Sequence, residues 1–161
     1  RGLMGYTSRF LTLTKGTGVI NRIFHGYGKF EGEMDGRKNG ALISMSTGKA
    51  VAFAIFNLQA RGEMFVTHND PVYEGMIVGL TPKPGDMIIN VLKGKQLTNM
   101  RTQGTDENVV LTPVRQMSIA EQLSMLNTDE ALEITPKSLR LRKAILNPHD
   151  RKKSEKSGAA A

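Results

Sequence analysis

The chain has 161 residues, enough for one full domain or for a small domain with part of another. It contains no Cys, which excludes disulfides and thiolate metal sites and is compatible with a reducing cytoplasm. The net charge is +7, and residues 137–156 account for six of these charges, with eight Lys and Arg against two acids.

This uneven charge indicates a polyanionic partner, because a basic tail on a nearly neutral body attracts nucleic acid. A tail kept basic for solubility is the alternative. The longest apolar run, residues 50–56, is far too short to span a membrane, and we see no pattern typical of a signal peptide. The sequence opens with Arg1-Gly2 rather than Met, which we interpret as a fragment of a longer protein.

The first predicted elements are a helix over residues 2–15 and a strand over residues 19–30. Apolar residues recur at the helical period in the first segment, which Gly16 ends, and they alternate with polar residues in the second. A helix followed by a strand is half of a split βαβ motif. The polar, Gly-rich residues 31–40 then predict a domain boundary.

A mixed set of elements follows. A strand at residues 41–45 precedes a helix at residues 50–60, which Ser46 or Thr47 is predicted to cap. The apolar face of that helix comprises Val51, Ala54, Ile55 and Leu58. Further strands are predicted at residues 64–67, 72–78, 87–92 and 108–111.

The last third contains the capping box Ser118-Ile119-Ala120-Glu121, which predicts a short helix ending near Asn127. Strands at residues 131–135 and 138–143 follow, and in the second the leucines face inward while Arg140 and Arg142 share the outer face. Asn147-Pro148 is predicted to begin a final short helix, after which the chain end should fray from residue 157.

Many short strands, few helices and no βαβα alternation predict an α+β fold. We expect the end of a split βαβ unit, followed by a mostly antiparallel sheet or small barrel with a few short helices. The predicted domains are residues 1–30, residues 31–146 and a basic tail at residues 147–161.

A basic loop at residues 93–104 is the strongest functional candidate. It carries three cations, Lys93, Lys95 and Arg101, and no carboxylate. Amides and hydroxyls fill most of the remainder, namely Gln96, Thr98, Asn99, Thr102 and Gln103. Cations beside amides and hydroxyls suit contacts with phosphates, sugars and base edges. A solvated loop without a ligand is the alternative.

Motifs for catalysis and metal binding are missing. A P-loop needs an earlier Gly and a Ser or Thr after its Gly-Lys, and both Gly48-Lys49 and Gly94-Lys95 fail this test. The histidines, His25, His68 and His149, lack the spacing of a metal site, and no Ser, His and acid can be assigned to a triad. We predict no catalytic residue, no metal site and no small-molecule substrate.

Sequence words along the whole chain carry a family resemblance. They include Phe24-His25-Gly26-Tyr27-Gly28, Lys95-Gln96-Leu97-Thr98-Asn99-Met100-Arg101 and Glu133-Ile134-Thr135-Pro136-Lys137-Ser138-Leu139-Arg140, with others at residues 1–6, 10–18, 36–40, 72–77 and 104–107. In this order they resemble the C-terminal region of the BipA/TypA family, ribosome-binding translational GTPases related to elongation factor G.

The resemblance implies that residues 1–30 end a domain like the fifth domain of elongation factor G, and that the rest is the family's own C-terminal domain. It implies docking in the ribosomal A site, with the loop reaching the peptidyl-transferase centre and the tRNA acceptor end. The GTPase domain, with its GTP and magnesium, is expected outside this chain, and no cofactor is expected within it. It further implies roles in ribosome assembly and stress response, a monomeric fragment, and a cytoplasmic location, with an organellar origin left open.

We therefore predict a module that binds rRNA and the tRNA acceptor end. The predicted RNA-binding residues are Lys93, Lys95, Gln96, Thr98, Asn99, Arg101, Arg140, Arg142, Lys143, Arg151, Lys152 and Lys153. The chain departs from the family pattern at residues 80–85, which replace a more polar turn, and at Ala144, where a basic residue is expected. A protein-interaction or structural domain with a solvated loop and tail is the alternative function, and a stand-alone enzyme is a third.

The chain alone is expected neither to bind nor to hydrolyse GTP, because it lacks a P-loop. Calorimetric titration with GTP and Mg²⁺ at micromolar protein should give the same heats as titration into buffer. Saturable binding would contradict this prediction.

Overall fold

The computed structural model describes residue 3 and residues 6–30, 32, 37–94 and 109–158. Four helices lie in this part of the chain: α1 (Tyr6–Leu13), α2 (Ala52–Gln59), α3 (Ile119–Ser124) and α4 (Pro148–Gly158). The strands are β1 (Ala41–Ser44), β2 (Gly48–Lys49), β3 (Glu63–Met64), β4 (Pro71–Val72), β5 (Ile77–Leu80), β6 (Met87–Ile89), β7 (Glu130–Ile134) and β8 (Leu139–Lys143).

The central sheet has the strand order β3-β5-β1-β6. β1 pairs antiparallel with β5 and parallel with β6, so β6 is an edge strand of this sheet. Two antiparallel pairs, β2-β4 and β7-β8, complete the described strands, and no sheet among them closes into a barrel. The predicted α+β class with mostly antiparallel pairing is confirmed.

Every residue of β1 is buried, because both faces of the central sheet are covered. Leu42 belongs to a core cluster that includes Ile55 of α2, while its neighbours Ala41 and Ile43 belong to a second cluster that includes Leu141 of β8. Successive strand residues point to opposite faces, which explains this division. The apolar face of α2 and the inward direction of Leu141 are as predicted.

The strand predicted over residues 19–30 is not formed. These residues adopt no regular secondary structure, and Ile23 is 91% and Tyr27 99% exposed. Alternation describes only side chains, whereas a strand also needs a partner for its backbone, and the described part of the chain offers none. Arg22 instead donates to the Leu3 carbonyl and the Thr7 hydroxyl and so holds the segment against α1.

The start of α2 differs from the prediction. Neither Ser46 nor Thr47 caps it, since both precede β2 and the helix begins after Val51, which makes no side-chain cap. The backbone N–H of Ala52 donates to Nδ1 of His68 at 3.2 Å. An acceptor from a distant turn therefore takes the place of a local cap.

Two strand predictions also differ. The strand predicted at residues 72–78 is two strands, β4 and β5, because Gly75 adopts a φ of +83° in a turn between them. Residues 109–111 form no strand, and Asn108 lies outside the described residues. The Gln59 side chain bonds the carbonyl of Val110 and the N–H of Thr112, so these backbone groups are partnered without a strand.

The predicted capping box is confirmed at α3. Ser118 Oγ accepts from the Glu121 N–H at 3.3 Å, and a Glu121 oxygen accepts from the Ser118 N–H at 2.9 Å. The helix ends at Ser124, slightly before the predicted end near Asn127. The β7-β8 hairpin is close to its predicted bounds, and α4 begins at Pro148 as expected.

A buried ion network joins the hairpin to the central sheet. The Lys143 ammonium lies 2.5 Å from Asp86, 2.6 Å from Asp129 and 3.1 Å from Glu130. Arg37 forms two bonds to the same Glu130 carboxylate, whose side chain has 0% exposure. Asp86 also accepts from the N–H of Ala41 at 2.8 Å, so the network reaches the first residue of β1.

The pKa shifts in this network follow from its contacts. Burial of the Lys143 ammonium lowers its pKa, but hydrogen bonds to Asp129 and Asp86 and the charge of Glu130 outweigh burial, so the pKa is raised. Burial of Asp86 raises its pKa, but the bonds from Lys143 and Ala41 outweigh this effect, so the pKa is lowered. Asp86 therefore stabilises the fold above its ordinary pKa of 3.8, and this contribution is lost as the pH falls through the lowered value.

Replacement Ser118→Ala should lower the free energy of unfolding by about 1 kcal/mol, because it removes the acceptor for the Glu121 N–H. Urea unfolding measures this change. Ser118→Asp, which keeps a capping oxygen, is the matched control and should lie close to the parent. Equal midpoints for Ser118→Ala and the parent would show that the box adds no stability.

Replacement Lys143→Met should lower the free energy of unfolding at pH 7 by about 3 kcal/mol. This is the low end of the range for breaking a buried pair, because Asp86 and Asp129 keep contact with water. The difference from the parent should shrink below pH 3.8, where the parent loses the Asp86 contribution. Lys152→Met, on the exposed surface of α4, should change stability by less than about 0.5 kcal/mol. Similar losses for the two variants in urea unfolding would contradict the network's role.

Candidate nucleic-acid interface

The exposed edge of the central sheet lies between two clefts that are rich in cations. β6 forms this edge, and its middle residue, Ile88, is 43% exposed while its neighbour Ile89 is buried. Ile88 lines both clefts. One cleft lies toward the start of the basic loop and the other toward α4, so we call them the loop-side cleft and the tail-side cleft.

The loop-side cleft has a volume of about 500 Å³. Its lining residues are Phe53, Ala54, Asn57, Leu58, Arg61, Ile88, Ile89, Asn90 and Lys93, none of which is a carboxylate. Phe53 and Asn57 are four residues apart, so the helical period of α2 places them on one face. Arg61 comes just after the end of this helix and lines the same cleft. Lys93, the first residue of the predicted loop, follows β6 in the sequence. It is exposed and lines the same cleft.

The tail-side cleft has a volume of about 460 Å³ and joins α4 to the segment before β1. Its cations are Arg37, Lys38, Lys143, Arg151 and Lys152. Arg37 and Lys143 are paired within the buried network, and Arg151 is bonded to backbone carbonyls. Lys38 and Lys152 remain as exposed ammonium groups without an ion pair to any described side chain. The surface of this cleft can therefore contact an anion through two lysines that come from distant parts of the sequence.

Lys143 does not fit its predicted role in RNA binding. It is 1% exposed and is surrounded by three carboxylates, so a phosphate has neither access to it nor an unpaired charge to bind. The alternation of β8 contained the signal, since residue 143 shares the inward side with Leu139 and Leu141. The positive charge was read as a surface property when its position in the strand indicated burial.

The other predicted tail residues occupy different surroundings. Arg151 donates to the carbonyls of Ile145 and Leu146, at 3.0 and 2.6 Å, and so holds the start of α4. Lys152 and Lys153 are exposed on that helix. The remaining loop residues of the prediction, Lys95, Gln96, Thr98, Asn99 and Arg101, lie outside the described residues.

Arg140 and Arg142 belong to the outer face of the β7-β8 hairpin and line neither of these two clefts. Arg140 lies 3.4 Å from Glu133, which also accepts a hydrogen bond of 2.5 Å from the Tyr73 hydroxyl. Burial and the bond to Glu133 raise the pKa of Tyr73 to about 12. Arg140 is therefore partly neutralised, and the structure does not bring these two arginines together with the loop and α4.

A third cleft, of about 740 Å³, lies beside the hairpin and is lined in part by Arg115, Gln122 and Arg140. Arg115 is within 4 Å of both Glu63 and Glu121, so its charge, like that of Arg140, is balanced. The Gln122 side chain is buried and its Oε1 has no hydrogen-bond partner. Lys137 is the remaining cation of this lining, so among the described residues the cleft offers a polyanion fewer cations without an ion pair than either cleft beside Ile88.

Lys38, Arg61 and Ile88 line the two clefts of the candidate interface and were not among the predicted site residues. The spacing of four residues between Phe53, Asn57 and Arg61 was a signal for Arg61, but the sequence analysis considered only the apolar face of the helix. Among the described residues no group of His, Asp and Glu is placed to hold a metal ion, and no described helix is long and apolar enough to cross a membrane.

Comparisons with known proteins agree with the sequence resemblance. The chain is 49% identical over 157 residues to a large ribosomal subunit assembly factor BipA of Buchnera aphidicola subsp. Schizaphis graminum. It is 46% identical to the proteins of the same name from Salmonella typhimurium and Escherichia coli strain K12. These alignments cover 97–98% of this chain and 26% of each relative, so the chain spans about a quarter of their length. The model of the TypA/BipA C-terminal domain matches residues 39–148, which is more than half of the chain, and the chain therefore belongs to the TypA/BipA family.

Proposed function

We propose that this chain is the ribosome-docking module of a longer translational GTPase, and that it binds rRNA and the acceptor end of A-site tRNA. The observation that carries the proposal is the pair of cation-rich clefts that meet at Ile88 on the edge of the central sheet. The names of the relatives, large ribosomal subunit assembly factors, support the ribosome as the partner.

The two basic segments of the sequence act in this proposal as parts of one surface. Lys93 borders the loop-side cleft and Lys152 borders the tail-side cleft, and both are exposed. A polyanion that crosses Ile88 would meet both cations, and phosphate contacts of this kind supply most of the affinity of such interfaces. Lys143 has no part in this surface, and Arg140 with Arg142 would form a separate contact on the hairpin.

The loop carries the specific part of the proposed contact. Lys95 and Arg101 would neutralise phosphates, while Gln96, Thr98 and Asn99 would supply hydrogen bonds to sugars and bases. The GTPase activity and its GTP and magnesium would belong to parts of the whole protein outside this sequence. On this proposal the protein works in the cytoplasm, where its ribosomal partner is found.

A salt series of co-sedimentation with purified large ribosomal subunits tests the proposal. We expect the binding constant to fall steeply with salt, because phosphate contacts release counterions. Salt-insensitive binding, or binding retained after removal of rRNA, would instead support a protein-interaction domain.

Variants separate the tail from the loop. Lys152→Gln with Lys153→Gln should flatten the slope of log K against log salt by about 1.4 to 1.8 units if both meet phosphates, at about 0.7 to 0.9 per contact. Lys29→Gln with Lys49→Gln removes the same charge from exposed positions that line neither cleft beside Ile88 and lie outside the β7-β8 hairpin, so it should leave the slope nearly unchanged. Gln96→Ala with Asn99→Ala should weaken binding at an unchanged slope. Equal binding by this amide variant and the parent would mean that the loop is merely solvated.

A further inference from the structure

We propose that the loop-side cleft binds one unpaired RNA nucleotide, with its base against Phe53 and Ile88 and its phosphate near Arg61 and Lys93. The proposal deepens the function proposed above and rests on it, because it names the RNA element that the surface recognises. All residues of this proposed site lie between Phe53 and Lys93, within the part of the chain that the structure describes.

The size and the apolar lining of the cleft suit a nucleotide. A volume of about 500 Å³ is within the range of sites that bury a ligand of this size. Phe53 offers a half-buried aromatic ring, which α2 holds in place, and Ile88 offers an exposed aliphatic surface. Unpaired bases are bound by stacking on such side chains, whereas a base inside a duplex is not accessible to them.

The two amides at the cleft are oriented by bonds to the backbone. Asn57 Nδ2 donates to the Phe53 carbonyl at 2.8 Å, which leaves Oδ1 to accept. Asn90 Oδ1 accepts from the Leu92 N–H at 2.9 Å, which leaves Nδ2 to donate. The cleft thus presents at least one acceptor and one donor, and the Watson–Crick edge of every nucleobase carries groups of both kinds. Because the amides are held before a ligand arrives, little ordering is required on binding.

The charges at the cleft favour an anion. Arg61 and Lys93 are exposed, and neither has an ion pair with a described residue; the guanidinium of Arg61 only approaches Met87 Sδ, at 3.8 Å. None of the described residues that line the cleft is a carboxylate, in contrast to the tail-side cleft with Asp86 and Asp129. A nucleotide brings one negative phosphate and one flat base, so it matches both the apolar surface and two cations that have no ion pair among the described residues.

Binding of a short RNA to the full chain tests this site. The probe is a single-stranded RNA hexanucleotide with a central 2-aminopurine, whose fluorescence decreases when the base stacks, and the same sequence in a blunt duplex is the comparison. We expect the chain to quench the single strand and leave the duplex unchanged. Phe53→Leu should weaken binding about 5-fold or more at an unchanged salt slope, as the loss of base stacking does elsewhere.

Matched variants keep the result interpretable. Phe56→Leu removes an aromatic ring from the same helix at a position that is 41% exposed and outside the cleft, and it should bind like the parent. Asn90→Asp keeps the oxygen that Leu92 uses but replaces the donor with a charge, so it should also weaken binding. Thermal unfolding checks that each variant folds, and the comparison uses those with parental midpoints.

Three outcomes separate the site from the wider function. Salt-dependent binding of ribosomes and RNA by the parent, with weaker binding by Phe53→Leu and Asn90→Asp, supports both proposals. The same parental binding with no effect of either variant overturns the nucleotide site and leaves the docking function standing. No salt-dependent binding of ribosomes or RNA by the parent overturns both.

Discussion

The Glu130 carboxylate is the group on which the arrangement of this domain most depends. It is completely buried, and it is tolerable there because Arg37, Lys143 and the Asn127 N–H all donate to it. These donors come from the segment before β1, from β8 and from the turn before β7, and Lys143 extends the contact to Asp86, which immediately precedes β6. One charge thereby fixes the hairpin, the central sheet and the walls of the tail-side cleft relative to one another.

The sequence analysis identified the elements that local patterns specify. The capping box of α3, the apolar face of α2 and the hairpin strands were all predicted, because helical periodicity, cap chemistry and alternation are properties of neighbouring residues. The network was missed because Arg37 and Glu130 are 93 residues apart, and no local spacing relates them. Lys143 was predicted to bind RNA at the surface for the same reason. It is buried because Asp86, Asp129 and Glu130 surround its ammonium, and no local pattern indicates these partners.

The candidate interface was predicted in part. The charge distribution was sufficient to predict Lys93 and the lysines of α4. That the clefts beside them share Ile88 could not be predicted, because it depends on β6 being an edge strand, and the strand order is known only from the fold. The strand predicted at residues 19–30 shows the converse limit. Its alternation is real, yet pairing depends on a second backbone, and in the described part of the chain these side chains stay exposed.

The order of strands in the central sheet has a consequence for synthesis of the protein. β1 is made early, but its partners β5 and β6 follow some way along the chain. Arg37 can pair with Glu130 before β8 is made, but the ammonium that joins Glu130 to Asp86 and Asp129 arrives only with the last residue of β8. Until residue 143 has left the ribosomal tunnel, the nascent chain holds an apolar strand with one face uncovered and carboxylates that Arg37 alone does not balance. A chain that stops short of β8 should therefore remain incompletely folded and susceptible to proteases. The domain can fold stably only after translation has passed β8.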